Sequence, residues 1–263
     1  MVNTQISDLV ALRMQVEAGC TDVVQDSPRG WLGLTEGTPS LQKPEPKATA
    51  PVKMPIRPAA RGTGPLLDNE LASVDNLAGL RVAIDAFDGC ALNATATKTV
   101  FADGNPESRI MLIGEAPGAD EDRQGLPFVG EAGQLLNRML ATIGLDRTSV
   151  YITNMVFWRP PGNRTPTTEE ILLCMPFVQK HIELVNPTAI LSLGNVPSKA
   201  LLDTDEGITR LRGKWREINV AGKTYALLPT FHPAYLLRQP AHKAMSWADL
   251  LNFNQFVDTH HTD

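Results

Sequence analysis

A short glycine- and acid-rich segment, residues 114–130, carries side chains that are well suited to chemistry. It reads GEAPGADEDRQGLPFVG and follows a short apolar run, while helical periodicity begins near Glu131. A loop between a strand and a helix is where open α/β sheets place functional groups. The acidic side chains make this loop a poor cradle for phosphate, but they suit the positioning of a water molecule or of a developing positive charge.

Four apolar runs separated by helical patterns predict the elements that hold this loop. The runs are short and almost continuously apolar, as in strands covered on both faces. They span residues 110–113, 150–156, 189–193 and 225–228. Strands that alternate with helices predict an α/β fold, a three-layer α/β/α sandwich with a central four-stranded parallel sheet. The loops after these strands are therefore expected to meet at one edge of the sheet.

Helical periodicity between the runs supplies the outer layers. A helix beginning at Glu131 is expected to stop before Gly144, and Thr167 with Glu170 forms a capping box before a helix that Pro176 should kink. Further helices are predicted over residues 68–85, after Asn195 as a cap, and after Ser246 with Asp249 as a cap.

The loops after the strands bring together an aromatic ring, an amide, an imidazole and a carboxylate. Phe128 can stack on a flat ring, and the amide of Asn154 offers a donor beside an acceptor, which matches an imide edge. His232 can donate to a ring carbonyl, and Glu115 can position water. The sequence contains neither a glycine-rich lysine loop for nucleotide phosphates nor a cluster with zinc-ligand spacing.

Each of these side chains also has a purely structural interpretation. Phe128 could belong to the packing, Asn154 could be a turn or cap residue, and His232 could hydrogen-bond the backbone. Glu115 could pair with an arginine, and the acidic run at residues 120–122 could be solvated. The functional interpretation is favoured because all of them follow strands and are expected on one edge of the sheet.

Composition and proline content indicate how the chain is organised. The 263 residues carry a net charge of −5 and three cysteines, which favours a reducing, cytoplasmic location without a disulfide framework. No apolar run approaches the ~18 residues that cross a bilayer, and no secretory signal is visible. We expect an extension with a short helical pattern (residues 1–34), a proline-rich linker (35–66) and one catalytic domain (67–263).

Several long motifs occur in one order along the chain. They are GEAPGADED (residues 114–122), GLPFVG (125–130), YITN (151–154), RPPGNR (159–164) and HPA (232–234) followed by LLR. Over roughly residues 88–255 the chain resembles the uracil-DNA glycosylase superfamily, and it is most similar to the family 4 branch. The resemblance implies a monofunctional DNA repair enzyme that flips uracil out of DNA and hydrolyses its N-glycosidic bond, leaving an abasic site.

The resemblance also implies how uracil is held. Phe128 would stack on the extruded base, and Asn154 would read its polar edge and reject cytosine. His232 would hydrogen-bond uracil O2 and stabilise the leaving anion. Backbone amides near Ala116 would help to seat the ring.

Catalytic and DNA-contacting residues follow from the same resemblance. Glu115 matches the carboxylate implicated in catalysis in this branch, with Glu121 and Asp122 as competing candidates, and Asn163 lies in a loop that approaches the site. Contacts with DNA are expected from Arg164, from Leu236 and Leu237, which would fill the gap left by the base, and from Arg238 on a phosphate.

One departure from the family 4 pattern concerns its iron–sulfur cluster. Typical members bind a [4Fe–4S] cluster through four cysteines, whereas the matching positions here hold Phe87, Cys90, Trp158 and Cys174. Aromatic rings cannot ligate iron. The sequence therefore predicts no metal and no cofactor, with Cys90 and Cys174 as remnants of an incomplete set and with Phe87 and Trp158 filling the vacated space.

The expected partner is uracil-containing DNA, single- or double-stranded, bound at the nucleoid of a bacterial-type cell by a monomer that does not contact a membrane. Basic side chains in the loop regions are expected to neutralise phosphates; they are Arg159, Arg164, Arg210, Arg212, Lys214, Arg216, Arg238 and Lys243. Two alternatives stay open: a protein that binds uracil-containing or abasic DNA with weak turnover, and a glycosylase for other deaminated bases.

Overall fold

The computed structural model describes residues 71–260, which build a mixed six-stranded sheet with helices on both faces. The expected extension and linker, residues 1–34 and 35–66, lie outside the described residues. Cys20, the third cysteine of the chain, lies there too. The strands are β1 (Asp103–Gly104), β2 (Ile110–Gly114), β3 (Tyr151–Asn154), β4 (Ala189–Leu193), β5 (Arg216–Val220) and β6 (Lys223–Thr230).

The strand order is β1-β3-β2-β4-β6-β5, and the four central strands are parallel. This arrangement confirms the predicted four-stranded parallel sheet. An antiparallel strand pairs with each outer member of that set, β1 with β3 and β5 with β6. The apolar pattern missed both, because β1 has two residues and β5 alternates exposed polar side chains with buried Ile218 and Val220.

Eight α-helices are found within the described residues. They are α1 (Leu77–Ala86), α2 (Ala119–Gln124), α3 (Glu131–Ala141), α4 (Thr168–Val185), α5 (Asn195–Leu202), α6 (Ile208–Leu211), α7 (Pro233–Arg238) and α8 (Lys243–His260). Single 3₁₀ turns cover Pro161–Asn163 and Pro240–His242. None of the helices in this part of the chain is long and apolar enough to cross a membrane.

The helix boundaries agree with the sequence at some points and differ at others. The capping box of α4 is present, since the Thr167 hydroxyl accepts the N–H of Glu170, and α4 continues through Pro176. The N-cap of α5 is Gly194, whereas Asn195 was expected to be the cap. The prediction that Ser246 and Asp249 open the last helix is wrong. Helix α8 begins at Lys243, and both side chains are buried against the sheet.

The core consists of two apolar clusters, one on each face of the sheet. Alternate residues of β2 point to opposite faces, so that Met111 and Ile113 pack with α1 and α4. Ile110 and Leu112 pack with α3, α7 and α8. The three layers therefore follow from the strand period of two, and the loops after the parallel strands are left at one edge to form a site.

Candidate functional site

A cavity of about 630 Å³ opens at the carboxyl edge of the parallel strands. Nine of the residues singled out in the sequence line it; they are Glu115, Ala116, Glu121, Phe128, Asn154, Asn163, Arg164, His232 and Arg238. They come from loops after β2, β3 and β6, which are far apart in the chain. The expectation that these loops meet at one edge is met by the geometry.

The floor of the cavity is formed where β2 and β3 end side by side. Gly114 is paired with Asn154 in the sheet register, and the amide of Asn154 is buried. A Cβ atom on Gly114 would approach the Asn154 Oδ1 atom and the Phe128 ring to less than 3.0 Å. Within residues 71–260, Oδ1 of Asn154 has no hydrogen-bond partner. The cavity therefore offers a buried acceptor that a ligand N–H can satisfy.

The loop carrying Phe128 is held in an unusual backbone conformation. Phe128 has φ of 54°, in the left-handed region that aromatic residues rarely adopt. The Glu121 carboxylate accepts the backbone N–H groups of Val129 and Gly130, both at 2.9 Å. Gly133 of α3 lies so close to the Phe128 carbonyl that a Cβ atom would overlap it. These contacts aim the Phe128 ring at the floor.

The three acidic candidates occupy different environments. Glu121 lines the cavity, but its Oε2 atom also accepts the N–H of Gly118 at 3.1 Å, so both of its carboxylate oxygens hold the loop. Asp122 is not among the lining residues; it is buried and accepts hydrogen bonds from Thr97 and Lys98. These hydrogen bonds lower the pKa of Asp122 despite its burial. Glu115 is therefore the acidic candidate whose side chain is not occupied by such backbone contacts.

The Glu115 carboxyl lies in the wall of the cavity, next to the floor. Burial raises the pKa of Glu115, while a hydrogen bond with Thr165 and the positive charge of Arg238 act against the increase. A carboxylate that is partly removed from water is a stronger base than an exposed one. Its position and basicity suit the orientation of a water molecule.

His232 faces Phe128 across the cavity, with the ring centroids 5.5 Å apart and nearly stacked. Its Nδ1 atom accepts the backbone N–H of Ala234 at 3.1 Å, because His232 is the N-cap of α7 and Pro233 starts the helix. Burial, aided by the charge of Arg238, lowers the pKa of His232 to about 4. The neutral ring therefore carries its proton on Nε2, where it can donate to a bound ligand.

Asn163 and Arg164 lie in the exposed turn after β3, and both line the cavity. Oδ1 of Asn163 accepts a hydrogen bond from Arg159 at 2.7 Å. Arg164 binds both carboxylate oxygens of Glu170, at 2.8 and 2.6 Å. The Arg164 guanidinium is therefore held in place by a largely buried carboxylate.

Leu236 and Leu237, the two leucines after His232, lie on different sides of helix α7. Leu236 is 1% exposed and belongs to the core, so the prediction that it enters DNA is wrong, because insertion would empty its place in the core. Leu237 is 37% exposed on the other side of α7. Arg238 follows it and lines the cavity.

Several lining residues carried no clear signal in the sequence; they are Thr165, Asn195, Ile208, Thr209 and Tyr235. Tyr235 lies in the first turn of α7, three residues after the N-cap His232. Ile208 and Thr209 belong to the short helix α6. The Ile208 N–H donates to Oδ1 of Asn195 at 3.1 Å, which links the start of α6 to the start of α5.

Comparison with known families identifies the fold and the class of site. Residues 101–251, more than half of the chain, match the uracil-DNA glycosylase superfamily. The chain belongs to this superfamily. The matched region contains the whole parallel sheet and every lining residue of the cavity.

Individual relatives agree with this membership. The chain is 39% identical over 182 residues to a type-4 uracil-DNA glycosylase of Pyrobaculum aerophilum, covering 68% of this chain and 93% of the relative. It is 44% identical over 153 residues to a type-4 uracil-DNA glycosylase of Thermotoga maritima, covering 57% and 77% of the two chains. A type-5 uracil-DNA glycosylase of Pyrobaculum aerophilum is 32% identical, with coverage of 51% and 64%.

These relatives overturn the expectation that the protein has no cofactor. They include type-4 uracil-DNA glycosylases, the branch for which the resemblance implies a [4Fe–4S] cluster, so the absence of a cofactor does not follow from two substitutions. Within residues 71–260 the chain supplies two thiols, Cys90 and Cys174, and no group of three or more His, Cys, Asp or Glu side chains placed to hold a metal. These residues do not by themselves complete a four-cysteine set, and no reaction step is assigned to a cluster.

The region that corresponds to the cluster is densely packed with aromatic side chains. Cys90 and Cys174 are buried and hydrogen-bonded to each other. The rings of Phe87 and Trp158 stack with centroids 6.3 Å apart, and the indole N–H of Trp158 donates to the Thr99 hydroxyl at 3.2 Å. The rings stabilise the loops around Cys90 and Cys174 through burial.

Proposed function

We propose that this protein is a monofunctional uracil-DNA glycosylase, which removes uracil from DNA and leaves an abasic site. Membership of the superfamily and the type-4 relatives support this activity. The structural observation that carries the proposal is the buried Oδ1 atom of Asn154, which faces the cavity without a partner in the described part of the chain.

In this proposal, Asn154 selects uracil by its imide edge. Its Oδ1 atom accepts the N3–H group of uracil, and its Nδ2 group donates to O4. Cytosine presents an acceptor and an amino group in the reverse order, so it would leave the buried oxygen unsatisfied. Phe128 stacks on the ring, and the missing side chain of Gly114 leaves room for both groups.

The chemistry assigned to the cavity is hydrolysis of the bond between C1′ of the sugar and N1 of uracil. A base must leave the helix to reach the cavity, at a cost of a few kcal/mol. As the bond breaks, its electron pair goes to uracil, and the Nε2–H group of His232 donates to O2 of the resulting anion. Glu115 orients the water that adds to C1′ and accepts its proton.

The proposed substrate is single- or double-stranded DNA, bound by one copy of the chain at the nucleoid. Arg238 at the cavity mouth is placed to meet a phosphate, and Leu237 is the exposed leucine beside it. Two cysteines that are not in a disulfide, Cys90 and Cys174, support a reducing cytoplasm as the place of action.

Replacement of Glu115 tests this function. Glu115→Gln should slow uracil release by roughly 10²- to 10⁴-fold, the range for loss of a general base. Release is measured with a labelled uracil-containing oligonucleotide followed by alkaline cleavage at abasic sites. In the wild type the rate should fall as the pH is lowered through the raised pKa of Glu115, because the carboxylate is the active form. Because the pKa of His232 is about 4, its titration should cause no further change in the rate of uracil release near pH 6.5.

The matched control is Glu107→Gln, which makes the same change at an exposed glutamate outside the cavity. Its rate should equal that of the wild type, and both variants should bind the oligonucleotide with wild-type affinity. An unchanged rate in Glu115→Gln would remove Glu115 from the mechanism. No release by the wild type, from uracil in either single- or double-stranded DNA, would contradict the proposed function itself.

A further inference from the structure

The carbonyl side of the Phe128 loop is held by an arginine that does not line the cavity. Arg147 donates from Nη1 to the Phe128 carbonyl at 3.0 Å and from Nη2 to the Pro127 carbonyl at 2.8 Å. Its Nε donates to Asp103 at 2.8 Å, with a second contact from Nη2, and Nη1 also reaches Asn137 at 3.2 Å. All five N–H groups of the guanidinium are used.

This arginine connects the strained loop to the edge of the sheet. Arg147 precedes β3, and Asp103 belongs to β1, the antiparallel strand that pairs with β3. Neither residue lines the cavity. The guanidinium therefore links the backbone of Phe128 to the edge of the sheet through hydrogen bonds.

Two charged side chains together fix four consecutive backbone positions. Arg147 binds the carbonyls of Pro127 and Phe128, and Glu121 binds the N–H groups of the next two residues. A non-glycine residue with positive φ persists only where the surrounding structure determines it from several sides. Phe128 meets this condition because its loop is gripped on the carbonyl side and on the amide side.

We propose that Arg147 is a positioning residue for Phe128, which it holds in the left-handed conformation that presents the ring to the extruded base. The inference rests on the proposed function, since stacking on uracil is the task that this position serves. A lysine cannot replace this arginine. A single ammonium group cannot bind two carbonyls and a carboxylate in the planar geometry of a guanidinium.

The first test compares Arg147→Met and Arg147→Lys with the wild type in steady-state uracil release. Misplacement of Phe128 should raise KM about tenfold to a hundredfold in both variants. It should change kcat by less than about threefold, because stacking acts on the bound base before and during cleavage alike. Arg138→Met, at an exposed arginine of α3, is the matched control and should keep the wild-type KM.

A double-mutant cycle separates positioning from general support of the fold. Phe128→Ala removes the ring, so adding Arg147→Met to it should raise KM by less than about threefold further. If Arg147 served only the fold, its effect would be the same with and without the ring. Equal effects in the two backgrounds, or a wild-type KM in Arg147→Met, would overturn the proposal.

Hydrogen exchange gives an answer that does not depend on activity. In Arg147→Met the amides of Val129 and Gly130 should exchange faster, while amides in β4 keep wild-type protection.

A second variant covers the case in which Arg147→Met fails to fold. Asp103→Asn keeps the arginine but weakens its anchor, and it should show smaller changes of the same kind in KM and in exchange. If the wild type releases no uracil, the exchange result still decides whether Arg147 holds the loop, and unchanged exchange would contradict it.

Discussion

The two loops that bring aromatic rings to the cavity are each fastened by an arginine and an aspartate, in different ways. Arg147 and Asp103 serve the Phe128 loop, and their side chains are 24% and 30% exposed. Arg212 and Asp249 serve the loop after β6, and their side chains are 14% and 2% exposed. In the first pair the arginine holds loop carbonyls directly.

In the second pair the aspartate holds the strand, and the arginine packs on the loop. Asp249 accepts the hydroxyl of Thr230, the last residue of β6, at 2.7 Å. Arg212 binds Asp249 and the Met245 carbonyl, and its guanidinium lies 5.4 Å from the ring centre of Phe231, the residue before His232. Arg212 was expected to bind phosphate, but the structure places it in this pair.

The difference in burial determines what each pair controls. Burial outweighs the contacts with Arg212 and Thr230, so the pKa of Asp249 is raised even though it faces a guanidinium. A buried pair adds little net stability, yet removal of one partner is costly because it leaves the other charge alone. In the partly exposed pair, loss of Asp103 costs little free energy of unfolding, because water can solvate the Arg147 guanidinium instead. The main effect of this pair is therefore on the geometry of the Phe128 loop.

The largest expected effect is on stability, at the buried pair. Asp249→Ala should lower the free energy of unfolding by about 3–5 kcal/mol, because Arg212 and the Thr230 hydroxyl lose their partner. The equivalent change at the partly exposed pair, Asp103→Ala, should cost about 1 kcal/mol or less. Urea denaturation of both variants gives the two values. Equal losses would remove the distinction between the pairs.

A smaller loss of stability is expected beneath the Phe128 loop, where the backbone of Gly133 packs directly against the backbone of Phe128. Gly133→Ala places a methyl group against the Phe128 carbonyl, and we expect a loss of about 3 kcal/mol together with a raised KM for uracil-containing DNA. Gly207→Ala is the control, because a Cβ atom there meets nothing within 4 Å. Thermal or urea unfolding combined with kinetics would measure both effects, and wild-type values in Gly133→Ala would show that the close contact is unimportant.

The smallest expected effect concerns His181, which lies outside both loops. Its buried ring contacts Phe101 and Phe157, neither ring nitrogen has a partner in the described residues, and burial lowers its pKa to about 3. The unfolded chain binds a proton below about pH 6.5, whereas the folded ring does not. Stability is therefore complete above that pH and is lost as the pH falls toward 3.

At pH 5 this one group should cost about 2 kcal/mol relative to pH 7. His181→Leu should remove that part of the acid loss, while uracil release per folded molecule stays at the wild-type level. Urea titrations at pH 7 and pH 5 provide the comparison. Equal acid losses in the two proteins would show that the imidazole is not the source.

Much of the fold and of the cavity could be predicted because the relevant signals are local. Apolar runs marked the four parallel strands, and strand ends placed Glu115, Asn154 and His232 at one edge. Contacts between distant segments could not be predicted in this way. Nothing in the pattern around Arg147 indicates that it meets Asp103, 44 residues away, or that Arg212 meets Asp249, 37 residues away.

The errors have the same origin. Leu236 was assigned to DNA because it follows the His232 motif, but one step along a helix decides whether a side chain faces the core or the solvent. Asp249 was assigned to a helix cap because short polar residues often serve there, but a partner on another strand determined its place. The cofactor was excluded because two ligands are substituted, and the similarity to type-4 uracil-DNA glycosylases contradicts that conclusion.

Gly114 has a consequence for how the substrate range of this enzyme could be changed. The position has no side chain to shorten, and the space it leaves is already occupied by an amide and a ring. A deeper floor is therefore out of reach of any single substitution at that position. Redesign toward bulkier nucleobases would have to widen the enclosure sideways, where Ile208 and Tyr235 form walls with atoms that can be removed.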